Sequence, residues 1–229
     1  MIEVIILAGG LGTRLRAVVP DVPKPMAPVA GKPFLALLLR GLARQGVKRV
    51  IISMGYKAEA ISNYFGTQFD GMDLVYSMED TPLGTGGALR SAFSLCHKDH
   101  VLVMNGDTYL DLNICMLENT WQRKRRPLIV AQEVRDTARY GRLEVKDGRV
   151  VDFGEKAVLG QGLINVGCYL FPTNILDTFP VGQTFSLETD FLATAVRLTP
   201  FEVFNTHGLF IDIGVPEDYA RAQVVLANL

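Results

Sequence analysis

Asp107 and Asp212 each close a short apolar run, residues 101–104 and 209–213, so each carboxylate is expected at the tip of a strand. Two hard oxygen ligands completed by phosphate oxygens suit Mg²⁺. A single aspartate in that position serves equally well as a turn or helix cap. The densest chemistry lies at the other end of the chain, in Leu7-Ala8-Gly9-Gly10-Leu11-Gly12-Thr13-Arg14-Leu15 followed by Pro23-Lys24-Pro25. Glycines just past a strand let backbone N–H groups approach phosphate oxygens with no Cβ in the way. Arg14 and Lys24 would supply the counter-charge. The glycines alone also fit a tight turn; the arginine and the Pro-Lys-Pro tip the reading toward phosphate. A Walker A loop would need Gly-Lys-Ser/Thr, and a dinucleotide fingerprint a third glycine where Leu15 stands, so neither motif is present.

These residues need a frame. Residues 1–7 read as a buried strand, and 8–33, dense in glycine and proline, as one long irregular loop of the kind that carries function. Apolar spacing then predicts helices over 34–42, 58–65 and 86–95, with strands at 48–54, 74–77 and 101–104 between them. That alternation implies an α/β fold: a Rossmann-like, doubly wound, mixed but mostly parallel sheet with helices on both faces. Strands at 128–133, 142–145 and 150–153, the last two joined by an Asp147-Gly148 turn, read as antiparallel additions. Further strands are expected at 165–171 and 209–213, a helix over 187–198, and a last helix from Pro216. The whole is expected to form one domain, 1–229, whose pattern changes at about residue 111 and divides it into halves of about 1–111 and 112–229.

The chain's 48% hydrophobic content is enough for one substantial core. A net charge of -1 gives no electrostatic reason to expect nucleic acid or an anionic membrane as partner, and the basic run 123–126 has no interleaved aromatics. Cys96, Cys115 and Cys168 are odd in number and widely spaced, which fits a reducing cytoplasm rather than a disulfide framework. The apolar start is too short to span a membrane, and no leader peptide is expected. His97, His100 and His207 lack ligand-like spacing.

The N-terminal run resembles the hallmark of the nucleotide-diphospho-sugar pyrophosphorylase family, L-A-G-G-x-G-T-R-L followed by a lysine beside proline. The resemblance continues through Pro82-Leu83-Gly84-Thr85-Gly86-Gly87-Ala88, Asn105-Gly106-Asp107, Glu155-Lys156, Asn165-Val166-Gly167-Cys168-Tyr169 and Asp212-Ile213-Gly214-Val215-Pro216. It implies the family's fold and sugar-1-phosphate nucleotidyltransferase activity, with Mg²⁺ as cofactor on Asp107 and Asp212. Arg14, Lys24 and Asp107 would be catalytic, and Leu7, Ala8, Gly9, Gly10, Gly12, Thr13, Glu79, Gly84 and Thr85 would bind nucleotide. Asn105, Gly141, Glu155, Lys156, Asn165, Glu188 and Asp190 would bind the sugar phosphate. The family often has proline after its Glu-Lys pair, where Ala157 stands here.

Three of these positions carry a chemical argument of their own. An acceptor-only carboxylate at Glu79 suits guanine, which offers adjacent donors at N1–H and N2–H₂, and so favours GTP. Glu188 and Asp190 could equally be charges that favour a helix N-terminus. Within the family, residues 21–34 and Phe185-Ser186-Leu187-Glu188-Thr189-Asp190-Phe191-Leu192 are most similar to the D-glycero-D-manno-heptose 1-phosphate guanylyltransferases. A mannose-1-phosphate guanylyltransferase, a uridylyl or thymidylyl relative, and a nucleotide-sugar-binding regulatory subunit are the alternatives. A homo-oligomer is compatible with this reading, and no hexapeptide-repeat β-helix is expected after the last helix.

Overall fold

The computed structural model describes residues 2–10, 12, 15, 18–20, 22–153 and 160–227. Strand β1, Glu3–Leu7, leads into the glycine-proline loop. Among the described residues that loop is irregular as expected except for a 3-10 turn at Lys24–Met26 and a small hairpin, β2 (Pro28–Val29) with β3 (Lys32–Pro33). Helix α1, Phe34–Arg44, is followed by β4 (Arg49–Met54), α2 (Ala58–Phe65), β5 (Gln68–Phe69) and β6 (Met72–Met78). Helix α3, Gly84–Ala92, begins two residues before the expected start, and a 3-10 turn completes it to Leu95. Strands β7 (His100–Asn105) and β8 (Thr108–Leu110) then precede α4, Ile114–Lys124.

The rest of the chain comprises β9 (Leu128–Val134), β10 (Leu143–Lys146), β11 (Arg149–Phe153), β12 (Gly162–Pro172), α5 (Ala193–Leu198), β13 (Phe201–Thr206), β14 (Phe210–Asp212) and α6 (Pro216–Val225). The expected helix over 187–198 opens as a π-turn, Leu187–Leu192, before it becomes α-helical. Helix α6 begins with Pro216 and carries Glu217 and Asp218 in its first turn, where a missing N–H and negative charge both suit the helix dipole.

Ten strands form one mixed sheet in the order β10-β11-β13-β9-β12-β7-β1-β4-β6-β5. Strands β7, β1, β4 and β6 run parallel through its N-terminal half. In the C-terminal half β12 pairs antiparallel with both β7 and β9. The expectation of purely antiparallel additions fails at β9, which lies parallel to β13. Strand β13 follows α5 and lies between β9 and β11, parallel to the first and antiparallel to the second.

Both faces are covered, as the β-branched runs demanded. Along β1, Val4 and Ile6 enter one apolar core while Ile5 enters the other, and β4 repeats this with Val50 and Ile52 against Ile51. Helices α1, α2, α4 and α6 close the first core, α3 and α5 the second. Helix α1 alone buries Phe34, Leu35, Leu38, Leu39 and Leu42, each contributing on the order of 1.5–3 kcal/mol. Its packing fixes the end of the long loop above the parallel strands. Among the described residues no helix is long and apolar enough to cross a membrane.

Candidate active site

A cavity of about 360 Å³ opens at the carboxyl ends of β1 and β7, where open α/β sheets bind ligands. Leu7, Ala8, Gly9, Gly10 and Gly12 line it on one side, and Lys24, Asn105, Asp107 and Gly214 on another. The loop after β1 is held by continued ladder bonds: Ala8 N–H donates to Ser53 O at 2.8 Å, and Gly106 N–H to Leu7 O at 2.8 Å. Gly9 allows close approach, because a Cβ there would sit 2.6 Å from Glu79 Oε1 and displace that carboxylate. Thr13 and Arg14, and Glu155, Lys156 and Ala157, lie outside the described residues.

Asp107 and Asp212, far apart in sequence, meet through the two-stranded ribbon of β8 and β14, in which Asp212 pairs with Thr108. Ile213 N–H donates to Asp107 O at 3.0 Å and tightens the junction. Between the two carboxylates lies Lys24, presented by its 3-10 turn, with Nζ 2.5 Å from Asp107 Oδ2 and 3.8 Å from Asp212 Oδ1. The lysine side chain is 10% exposed, whereas Asp107 and Asp212 are 33% and 32% exposed, so the carboxylates stay open to a ligand. A Cβ on Gly214 would lie 2.7 Å from Asp212 Oδ1 and 3.0 Å from Lys24 Nζ, so a larger residue there would displace the side chains that form the site.

This pair is the part of the described structure whose donor chemistry fits a hard divalent cation, since substrate phosphates can complete the oxygen shell. No cluster of three or more His, Cys, Asp or Glu side chains arranged for a metal occurs among the described residues.

Glu79 follows β6 and faces the glycine loop. Its Oε1 accepts from Ser53 Oγ at 3.3 Å and its Oε2 from Leu83 N–H at 3.0 Å, which fixes the carboxylate plane at the cavity wall. Ser53 is fully buried within an apolar strand, where no local pattern marks it as part of a site. Gly84 and Thr85, at the start of α3, form the adjoining wall. They are strapped to the 185–187 segment by Phe185 N–H to Leu83 O at 3.0 Å and Gly86 N–H to Phe185 O at 3.0 Å.

On the sugar side the expected residues separate. Asn105 lines the cavity. Asn165 donates to the Tyr169 hydroxyl at 2.8 Å and accepts from Gly167 N–H at 3.0 Å, while its own N–H donates to Gly141 O at 3.1 Å. Asp190 caps the π-turn, its Oδ2 accepting from Ser186 N–H at 2.7 Å. Glu188 lies behind the wall of the cavity among hydroxyl groups. Burial holds the Tyr169 phenol well above the usual range, and the charge of Glu188 adds to the effect.

Tyr140 escaped the sequence reading. It stands on the loop before Gly141 with its ring edge-on to Phe210 of β14 at 5.7 Å, and Arg139 beside it is paired with Asp218 at 2.7 Å. Burial raises the Tyr140 phenol, with Asp218 and Asp212 adding to it. An aromatic preceding a glycine in a loop was the available signal.

Comparison with known proteins sharpens the picture. The chain is 41% identical over 227 residues to the D-glycero-alpha-D-manno-heptose 1-phosphate guanylyltransferase of Aneurinibacillus thermoaerophilus, covering 99% of both chains. It is 40% identical to the protein of the same name from Campylobacter jejuni, over 95% of this chain and 96% of that one. The crystal structure of HddC from Yersinia pseudotuberculosis complexed with GMP-PN superposes with a TM-score of 0.87 at 40% identity, covering 97% and 98% of the two chains. The nucleotidyl transferase model matches residues 3–228, from the first residue of β1 to beyond α6. Every described wall of the cavity falls within that match, and the chain therefore belongs to the nucleotidyl transferase family.

Proposed function

We propose that this chain transfers GMP from GTP to D-glycero-D-manno-heptose 1-phosphate, forming GDP-heptose and releasing pyrophosphate. The observation that carries this reading is identity of 40% or more, over nearly the full length, to two heptose 1-phosphate guanylyltransferases. The cavity supports it. Its volume of about 360 Å³ suits a small-molecule ligand, and a fixed carboxylate at Glu79 meets the donor edge of guanine.

The reaction forms a bond between a sugar-phosphate oxygen and the α-phosphorus of GTP and breaks the bond from that phosphorus to the β-phosphate oxygen. Two unit charges 4 Å apart repel by about 4 kcal/mol at an effective dielectric near 20, so neutralisation is the main task. No general base is needed, because a phosphate monoester with a second pKa near 6 is already largely dianionic at about pH 7. Lys24 stabilises charge on the α-phosphate, and the glycine loop offers its N–H groups to the triphosphate. On sequence grounds Arg14 holds the β,γ-phosphates and Lys156 the sugar phosphate. Asp107 and Asp212 would hold Mg²⁺, which when bound supplies charge neutralisation and orients the two substrates. Asn105, Asn165 and Gly141 form the sugar side of the site. The product serves surface polysaccharide synthesis from the cytoplasm, a location that three free cysteines support.

The test is pyrophosphate release with Mg²⁺ across GTP, UTP, CTP, dTTP and ATP, each paired with heptose, mannose, glucose and N-acetylglucosamine 1-phosphates. GTP with heptose 1-phosphate should be the best pair. Preference for mannose 1-phosphate, or for another base, would overturn the substrate assignment.

A further inference from the structure

We propose that Glu188 is a positioning residue for the nucleotide loop, acting through the hydroxyl of Thr85, rather than a ligand of the sugar. Its side chain is half-buried and is absent from the cavity lining, which Thr85 joins. Glu188 Oε2 accepts from Thr85 Oγ1 at 2.8 Å and from Ser186 Oγ at 3.2 Å, and Oε1 accepts from the Tyr169 hydroxyl at 3.4 Å. Tyr169 is fully buried and already accepts from Asn165 Nδ2 at 2.8 Å, which leaves its proton for Glu188.

Thr85 is the second residue of α3 and stands on the wall of the nucleotide cavity. Its oxygen accepts from Leu187 N–H at 2.9 Å while its single proton goes to Glu188. Its donor is therefore unavailable to base or phosphate. The same seam is closed by the backbone bonds between residues 83–86 and Phe185, and a Cβ on Gly86 would land on the Phe185 ring. The 185–188 segment thus sets where the first turn of α3 stands, and that turn forms part of the nucleotide site. Glu188 is the charged member of the seam, and hydrogen bonds to a charged group are roughly twice as strong as neutral ones. Its loss releases Thr85 and the start of α3 and leaves Asn105 in place, while the Tyr169 hydroxyl that holds Asn165 loses its acceptor.

The inference rests on the nucleotidyl transfer proposed above. Its assay uses whichever nucleoside triphosphate and sugar phosphate the wild type consumes, so an error in base or sugar assignment is seen separately. Steady-state kinetics would be measured for Glu188→Ala, Thr85→Val and Thr85→Ser with each substrate varied in turn. Glu188→Ala and Thr85→Val should each raise KM for the nucleotide by roughly tenfold, while Thr85→Ser, which keeps the hydroxyl, stays near wild type. KM for the sugar phosphate should be nearly unchanged in both Thr85 variants, and in Glu188→Ala it should rise less than KM for the nucleotide. The double variant Glu188→Ala/Thr85→Val should lose clearly less than the sum of the two single variants, since both remove the Thr85–Glu188 hydrogen bond. A raised KM for the sugar phosphate with an unchanged nucleotide KM would make Glu188 a sugar ligand and overturn the proposal. Unmoved KM values, or additive effects in the double variant, would overturn it too. Should Glu188→Ala fail to fold, the contrast between Thr85→Val and Thr85→Ser decides.

Discussion

Replacing Lys24 by methionine keeps an unbranched stem in the buried channel and deletes only the ammonium. That ammonium lies 2.5 Å from Asp107 Oδ2 and 3.8 Å from Asp212 Oδ1. At an effective dielectric near 20 these separations correspond to gross attractions of about 7 and about 4 kcal/mol. Both carboxylates are about one-third exposed, so solvent screening leaves a fraction of that sum. Two consequences of opposite sign follow for Lys24→Met. Charge developing on the α-phosphate loses its partner, and loss of one such stabiliser costs roughly 10²–10³ in kcat. In the nucleotide-free protein, by contrast, the two carboxylates lose the Lys24 ammonium that competes with a metal for them, so a divalent ion should bind more tightly, by about tenfold, equivalent to about 1.4 kcal/mol. Turnover is read by pyrophosphate release, cation affinity by titrating Mn²⁺ into nucleotide-free protein, and fold by circular dichroism. Turnover within a few-fold of wild type, or weaker Mn²⁺ binding in a folded variant, would refute the reasoning.

Three further outcomes are expected. Glu79→Gln removes a charged acceptor, whose hydrogen bonds are worth about 1.5–3 kcal/mol; kcat/KM for GTP should fall roughly 10- to 100-fold and the preference for GTP over ITP should narrow, in competition assays. Glu3→Ala leaves Arg49, 2.8 Å from the lost carboxylate, and the N–H groups of His97 and Lys98 without their acceptor. Breaking so buried a pair costs about 3–5 kcal/mol, visible as a lower urea midpoint with activity at the distant cavity retained below the transition. The third concerns thiols: burial, with the Glu3 charge adding and Arg49 opposing, pushes Cys96 up to about 12, and burial raises Cys168 as well. Both folded values lie above the unfolded thiol's, so the stability they contribute is complete below about pH 9. For Cys96 it is lost as pH rises from there towards about 12. The urea midpoint should therefore fall more steeply above pH 9 in wild type than in Cys96→Ala/Cys168→Ala, while exposed Cys115 alkylates first.

The parallel half of the sheet could be read from the sequence because strands buried on both faces write continuous β-branched runs, and α1 could be read because its leucines recur at helical spacing. Helix α4 was not delimited, although Ile114, Leu117 and Trp121 have that spacing, because its other positions are polar and it presents a narrow apolar stripe. Strand β13 was missed for a different reason. Phe201–Thr206 is short, and its insertion between β9 and β11 depends on partners distant in sequence. The site divides in the same way. The glycine loop, Lys24 and the two aspartates declare themselves through local types at strand ends. The position of Lys24 between the aspartates depends on the β8 and β14 ribbon, which no local pattern announces. Glu188 looked like a sugar ligand or a helix charge, and its actual partners, Thr85 and Tyr169, come from two other elements.

The central claim is that a sugar-phosphate oxygen displaces pyrophosphate from the α-phosphorus of GTP at this cavity. The most direct measurement incubates the protein with Mg²⁺, GTP and D-glycero-D-manno-heptose 1-phosphate carrying ³²P in its phosphate, and follows the label. The account predicts GDP-heptose that retains the label, formed in step with unlabelled pyrophosphate. Label appearing as inorganic phosphate or in pyrophosphate, or consumption of GTP without a nucleotide sugar, would contradict it.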